Sequence, residues 1–348
     1  MSASASHPPK AVTLNDVARA AGVSHQTVSR VINEHPSVAP ATRARVLAAI
    51  RELGYRPNAL ARKLVTGRSK TVGIVGFGTT FYGPAQMVLS VERALKGRGY
   101  GFALASVDDL ERPSLEGAVR ELGRHDVEGL ILITPLREVS LAEIDALCGG
   151  RPFVMIDVAK GSPLPSVVID QGHGSALATR HLVDLGHHHV AEISGPLAWH
   201  DAWARHEAWR ETLLKAGLTP GRSVEGDWTA EGGYRAAEAL LSSGERFTAL
   251  VVGNDQMALG ALAALSERGV RVPEEVSVVG FDDVPEARFY RPPLTTVRQD
   301  FAELGTRSAA LILKAIEARR APQLPPRPEQ VCLTPELVVR LSTAPPPR

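Results

Sequence analysis

Two sets of polar residues in this chain have the types and spacing of recognition chemistry. The first falls within six residues: His25, Gln26, Ser29 and Arg30. On a helix starting near His25 they share one exposed face close to its N-terminal end. A glutamine amide bonds bidentately to adenine and a guanidinium to guanine, so such a helix can read base edges in a major groove. The solvated face of an amphipathic helical hairpin would carry the same residue types. The second set is scattered: Asp157, Asn254 and Asp282 each follow a short apolar run, and Arg205 opens a helical stretch. Carboxylates, an amide and a guanidinium each bond two hydroxyls at once, which suits a pattern of sugar hydroxyls. Trp228 and Phe301 would supply flat walls for the C–H face of a sugar. Plainer readings stand beside these: Asp282 and Asp283 as turn carboxylates, Arg205 in a surface ion pair, Trp228 in the core.

The elements that must position the first set are short. Leu14–Ala21 and His25–Asn33 read as two helices joined by Gly22, Val23 and Ser24. Thr13 can cap the first, with Asp16 in its first turn, and Ser24 can cap the second. Gly22 suits the left-handed turn that stops the first helix. Val17, Ala18 and Ala21 face inward from one rod, and Val28, Val31 and Ile32 from the other. Such a pair cannot bury its own apolar stripe, so a third helix over Ala41–Leu53 is expected, bringing Val46, Ile50 and Leu53. Ala39 is an odd cap there, partly offset by Pro40 at the first helical position.

The stretch T-L-x-D-V-A-x-x-A-G-V-S-x-Q-T-V-S-R-V-I-N from Thr13, then T-R-x-R-V at Thr42–Val46 and G-Y-R-P-N at Gly54–Asn58, closely resembles the DNA-binding headpiece of the LacI/GalR (lactose-repressor) family. The resemblance implies a helix-turn-helix in which Thr13, Ser24, Thr27 and Asn33 join His25, Gln26, Ser29 and Arg30 at double-stranded operator DNA. It also implies a hinge helix within Asn58–Gly67. There Asn58 and Ala61 touch DNA, and Leu64 is the wedge that pries a minor-groove base step apart. Alone, this segment is shorter than the dozen or so residues an isolated helix needs. A frayed linker with Leu64 on the core is the other reading.

Charge separates the two ends. Residues 1–70 hold 11 Lys/Arg against 3 Asp/Glu, a net of +8, while residues 71–348 hold 28 against 35, a net of −7. A basic head on an acidic body points to phosphate contact at one end only. The two cysteines, Cys148 and Cys332, form no metal or redox spacing and fit a reducing compartment. The N-terminal MSASASHPPK has no apolar core of a secretory signal, and no apolar run approaches the length of a membrane span. A cytoplasmic protein that does not engage membranes is expected.

From Thr71 onward, short apolar runs alternate with helical stretches, the pattern of buried parallel sheets. TVGIVGF, GFALAS, VEGLILIT and PFVMID form one series, and SVVID, HVAEIS, SVEGD, TALVVG and VSVVGFDD a second. Two doubly wound lobes with a cleft between them follow, with ligands at the carboxyl ends of the strands. The expected divisions are a disordered tail at 1–10, a headpiece at 11–57, a hinge and linker at 58–70 and a core at 71–343, with a disordered tail at 344–348. The family resemblance implies a periplasmic-binding-protein-like core whose chain crosses between lobes three times. The first lobe is then about 71–168 and 299–327, and the second about 169–298 and 328–343. Gly73, Gly76 and Gly78 lack the helix and acid of a dinucleotide loop. His187, His188 and His189 are adjacent and cannot all face one metal ion.

W-x-R-x-x-x-W at Trp203–Trp209, E-G-D-W at Glu225–Trp228, N-D-Q-M-A-L-G at Asn254–Gly260, V-V-G-F-D-D at Val278–Asp283 and P-P-L-T-T-V-x-Q-D-F at Pro292–Phe301 extend the resemblance through the core. It implies that Arg205, Asn254 and Asp282 hold sugar hydroxyls, that Asp157 acts nearby through water, and that Trp228 and Phe301 line the site. Phe81, Gly83, Pro84 and Met87 form the first-lobe wall. Asp201 and His200 depart from the pattern, replacing small hydroxyl residues, and Phe81 and Tyr82 are bulkier than the pattern leads one to expect. The expected protein is a homodimeric, sugar-responsive repressor acting on an inverted-repeat operator, with no cofactor, no metal and no catalysis. A sugar-transport binding protein and a nucleotide-dependent oxidoreductase are the alternatives. Proline-rich Arg319–Arg348 cannot form a tetramerising heptad helix. Dimer contacts are expected through first-lobe helix residues such as Val88, Val91 and Leu95 and through the second lobe.

Overall fold

The computed structural model describes residues 12–32, 37–55, 68–135, 140–320 and 328–347, in two compact units, Met1–Ser69 and Lys70–Arg348. In the first, α1 (Leu14–Ala21), α2 (His25–Ile32) and α3 (Pro40–Glu52) enclose Val17, Ala18, Ala21, Val28, Val31, Val46, Ala49 and Tyr55. Thr13 and Asp16 form a reciprocal capping box on α1, and Gly22 ends it at φ +62°. Ser24 Oγ accepts the Thr27 amide at 3.2 Å, capping α2. Ala39 makes no side-chain cap, and Pro40 opens α3. The expected tail 1–10, Asn33 and the hinge residues Asn58, Ala61 and Leu64 lie outside the described residues.

The second unit alternates strands and helices. Its first lobe takes β1 (Thr71–Phe77), α4 (Tyr82–Lys96), β2 (Gly101–Val107), α5 (Arg112–Arg124), β3 (Gly129–Ile133), α6 (Leu141–Leu147), β4 (Phe153–Ile156) and β5 (Ser166–Ile169). The second takes α7 (Gln171–Asp184), β6 (Val190–Ser194), α8 (His200–Lys215), β7 (Ser223–Glu225), α9 (Ala230–Ser242), β8 (Ala249–Val252), α10 (Asp255–Glu267), β9 (Ser277–Asp282) and β10 (Thr295–Arg298). Then α11 (Phe301–Arg320) and β11 (Gln330–Leu333) return to the first lobe, and β12 (Glu336–Val338) to the second. The sheets run β11-β5-β4-β3-β1-β2 and β12-β10-β9-β8-β6-β7. Every pairing is parallel except β12 with β10. Strands such as GLILI and ALVV are buried throughout, because helices cover both faces of each sheet.

Three expectations change. SVVID reads as the opening of the second series, and 328–343 as second lobe, yet β5 pairs with both β4 and β11 in the first sheet. The two strands lie side by side where the chain leaves the lobe, and the Asp170 amide donates to Leu333 O at 2.9 Å. Short apolar runs carry no mark of which sheet they join. The crossings therefore fall at Asp170, at Gln299–Asp300 and at Thr334–Pro335. The expected C-terminal tail also begins too early. Ser277 Oγ accepts the Ala344 amide at 3.0 Å, and the Ala344 carbonyl lies 2.8 Å from the His187 ring. His187, whose other ring nitrogen meets Thr248 Oγ1 at 2.9 Å, thus clasps the chain end.

Candidate ligand cleft and DNA-reading helix

On α2, His25, Gln26 and Arg30 are exposed, while Thr27 and Ser29 are half-buried. The hydroxyls of Thr13, Ser24 and Thr27 are engaged in helix caps: Thr13 Oγ1 donates to Asp16 at 2.7 Å, and Ser24 and Thr27 lie 3.0 Å apart. The exposed side of α2 therefore presents the His25 imidazole and Gln26 amide at its capped start and the Arg30 guanidinium in its last turn, on a helix held by its apolar underside.

In the second unit the strand ends of the two lobes line an open cleft whose empty space, solvent at its mouth included, is about 420 Å³. The first lobe contributes Phe81, Tyr82, Gly83, Pro84, Met87 and Asp157. The second contributes Trp199, Asp201, Arg205, Trp228, Asn254 and Asp282, and Gln299 enters from a crossing. Asp157 stands just past β4, Asp282 ends β9, Asn254 caps α10, and Asp201 and Arg205 lie one turn apart on α8. Asp157, Trp228 and Asp282 have φ of +65°, +69° and +110°. Such backbone costs a non-glycine residue about 1–3 kcal/mol and persists where the surroundings hold it. Nine of the ten residues expected here line the cavity. Phe301 does not. It packs in the first-lobe core with Leu304 and Ile312, and its ring meets Tyr82 edge-on at 6.1 Å. As the first residue of α11, it belongs to the buried stripe of that helix rather than to the cleft.

Four buried side chains form a ring. Arg205 Nε donates to Gln171 Oε1 at 2.9 Å, Gln171 Nε2 to Gln299 Oε1 at 3.0 Å, and Gln299 Nε2 to Asp282 Oδ1 at 2.6 Å. Arg205 Nη2 closes it, 4.0 Å from both Asp282 and Asp201. Its Nη1 donates to the Gly253 carbonyl, and the guanidinium lies 3.7 Å over the Phe281 ring. Asn254 Nδ2 donates to the Trp228 carbonyl at 3.1 Å. Gln171 and Gln299 sit at two of the three crossings, so the ring links the cleft to the segments about which the lobes would move. No motif marks Gln171, and Gln299, the Q of P-P-L-T-T-V-x-Q-D-F, carries no assigned role from it.

Trp199, unforeseen in the sequence, bridges the lobes. Its ring lies 5.0 Å from Phe77 and 5.8 Å from Phe81 in the first lobe, and 5.9 Å from Trp228 in the second. A Cβ on Gly78 would collide with it. Burial raises the Asp282 carboxyl to about 6 despite the opposing effect of Arg205. Burial, then Asp201, holds Asp157 well above the usual carboxylate range; Asp201 is raised by burial and opposed by Arg205 and His200. Burial and then Asp282 push the Tyr82 hydroxyl up to about 12. Among the described residues, no group of three His, Cys, Asp or Glu could hold a metal ion, and no helix is long and apolar enough to cross a membrane.

Residues 13–58 match the model of the bacterial regulatory proteins, lacI family, and residues 179–343 that of a periplasmic binding protein-like domain. The lactose operon repressor of Escherichia coli (strain K12) is 37% identical over 305 residues, 88% of this chain and 85% of its own. The chain belongs to the LacI family. This LacI-family chain is also 35% identical to the HTH-type transcriptional repressor PurR of Haemophilus influenzae (strain PittEE), over 95% of this chain and 98% of the relative. Its fold matches the crystal structure of the Lac repressor dimer bound to operator and the anti-inducer ONPF. That match has a TM-score of 0.85 and 36% identity, covering 96% of this chain and 100% of that one. It also matches a complex of the transcriptional regulator CelR with cellobiose, at TM-score 0.70 and 34% identity, covering 95% and 99%. The chain is a DNA-binding transcriptional repressor with a ligand-binding core, not an enzyme.

Proposed function

We propose that this LacI-family chain binds inverted-repeat operator DNA as a homodimer through α2, and that a sugar, galactoside-like or another glycoside, sets its operator affinity from between the lobes. The observation that carries the sugar reading is the composition of the cleft. Asp157, Asp201, Arg205, Asn254 and Asp282 surround a space bounded by Trp228, Trp199 and Phe81. Paired acceptors and donors over aromatic faces match the two sides of a pyranose. The cellobiose complex of a relative supports the same class. A ligand touching Arg205 and Asp282 would act on the ring that reaches Gln171 and Gln299, biasing how the lobes close. That is a coupling between two sites without chemistry.

Val88, Val91 and Leu95 cannot carry the dimer contact expected of them, because they are 8%, 0% and 0% exposed within the first-lobe core. The outward side of that region holds Leu89 on α4 and Phe102 and Leu104 on the edge strand β2, 44%, 40% and 40% exposed. A second copy of the chain would cover these. The test of the function is a pair of titrations on the full-length chain: glycosides followed by tryptophan fluorescence, with Trp199 and Trp228 as reporters, and operator DNA followed by anisotropy. Operator release on adding one glycoside is expected. Indifference of DNA binding to every sugar that quenches the fluorescence would refute the coupling.

A further inference from the structure

We propose that the ligand of the cleft carries a protonated amine as well as hydroxyls, an amino-substituted sugar or similar amino polyol, with its ammonium seated between Asp157 and Asp201. The proposal rests on the sugar reading and narrows it. Three carboxylates line the cavity, Asp157, Asp201 and Asp282, 7%, 8% and 6% exposed, against the single cation Arg205. No lysine or histidine is among the lining residues. Arg205 is already divided: Nε and Nη1 are bonded to Gln171 and Gly253, and Nη2 stands 4.0 Å from Asp201 and Asp282. No ion pair reaches Asp157, from the opposite lobe, among the described residues. The cleft is thus short of positive charge on the side where the first lobe meets the second.

A metal ion does not fit this deficit, since these carboxylates do not converge as a metal-binding group. An organic cation does, because an ammonium has three donors that can reach carboxylates on both lobes. A second observation points to a ligand. The indole N–H of Trp228, 7% exposed and lining the same cavity, has no acceptor, and a ligand hydroxyl would supply one. The aromatic faces of Trp228, Trp199 and Phe81 favour a cation nearby as well as sugar C–H groups. Without a cation, burial and the neighbouring Asp201 raise Asp157 well above the usual carboxylate range and favour a proton on it. Arg205 and His200 act on Asp201 from the second lobe, and Asp282 and Tyr82 border the same space. An entering ammonium replaces the proton on Asp157, which leaves to solvent.

The test is calorimetry on the full-length protein, titrated with D-galactosamine, D-glucosamine and 6-amino-6-deoxy-D-galactose, each against its hydroxyl and N-acetylated counterparts. At pH 7.5 one amine should bind at least about tenfold tighter than both neutral counterparts. Proton release should appear as a dependence of the heat on buffer ionisation, and affinity should rise from pH 5 to 7.5 as the carboxyls lose their protons. Asp201→Asn and, separately, Asp157→Asn should each shrink the amine-to-hydroxyl ratio to within about threefold, with folding of each variant checked by its thermal melt. If a neutral sugar binds as tightly as its amine, the sugar reading stands and the amine is refuted. If nothing in the panel binds, the amine is refuted, and the glycoside titrations followed by fluorescence decide the sugar reading. A preference for the amine that survives both substitutions would overturn the seat assigned to the ammonium.

Discussion

On the proposed function, Arg205 and Gln26 separate the two activities at the level of single side chains. Among the described residues, Arg205 is the only cation lining the cleft, and a lost charged hydrogen bond costs about 1.5–3 kcal/mol. Arg205→Ala should weaken sugar binding about ten- to hundredfold and leave operator affinity without sugar nearly unchanged. Gln26→Ala should do the reverse, since a bidentate base contact is worth about 1–3 kcal/mol. Fluorescence and anisotropy titrations on the same two variants check both. Loss of DNA binding in a folded Arg205→Ala protein, with sugar affinity intact, would contradict the assignment of the cleft. Asp282 adds a pH dependence. Its folded pKa, about 6, lies above the ordinary 3.8, so the native state holds more protons between these values and loses stability as pH rises through that window. Replacing this 6%-exposed carboxylate by a neutral amide removes a cost on the order of 3 kcal/mol. Asp282→Asn should therefore raise the melting temperature of the unliganded protein at pH 8 and change it little near pH 4.

At the scale of elements, the telling feature is where α7 and α11 begin. Each follows a crossing between the lobes, and Gln171 and Gln299 sit at those points with their amides joined at 3.0 Å. The Gln171 amide accepts from Arg205 and donates to Gln299 inside a buried site, so an apolar replacement leaves two partners unsatisfied. Gln171→Leu should raise the sugar concentration needed for operator release by about tenfold. Operator affinity without sugar should stay within about twofold of the wild type, because α1–α3 form a core of their own, with side-chain caps on α1 and α2. A Gln171→Leu protein with an unchanged release curve would show that the ring only holds Arg205 in place.

The whole molecule divides its charge as it divides its work. With +8 on residues 1–70 and −7 on the rest, operator binding should weaken steeply as salt rises, through counterion release. A protein starting at Lys70 should bind sugar and not DNA; retained operator affinity would refute the assignment of the head. The proposed assembly would rest on the surface around α4 and β2. Leu89→Asp places a charge on an outward apolar position while Val88 and Val91 keep the core intact. Sedimentation should then show monomers with lower operator affinity, since two half-sites are no longer held together. A stable Leu89→Asp dimer would place the contact elsewhere.

The sequence by itself determined the three-helix head and the kind of chemistry in the cleft. Thr13, Asp16, Gly22 and Ser24 act within a few residues of themselves, and local rules suffice for caps and turns. Continuous apolar runs revealed buried parallel strands for the same reason. Asp157, Arg205, Asn254 and Asp282 stand at strand ends and helix starts, but position alone left plainer readings open, and it was the family resemblance that marked them for the cleft. What depended on the third dimension was left to the tertiary structure. It moved β5 and β11 into one sheet, turned Phe301, Val88, Val91 and Leu95 into the core, and anchored Ala344 through His187. It also brought Gln171, Trp199 and Gln299 to a site that no local pattern assigns them. Periodicity tells which residues are buried, not which neighbour buries them; Gln171 and Gln299 meet across 128 positions of sequence, a pairing only the folded chain decides.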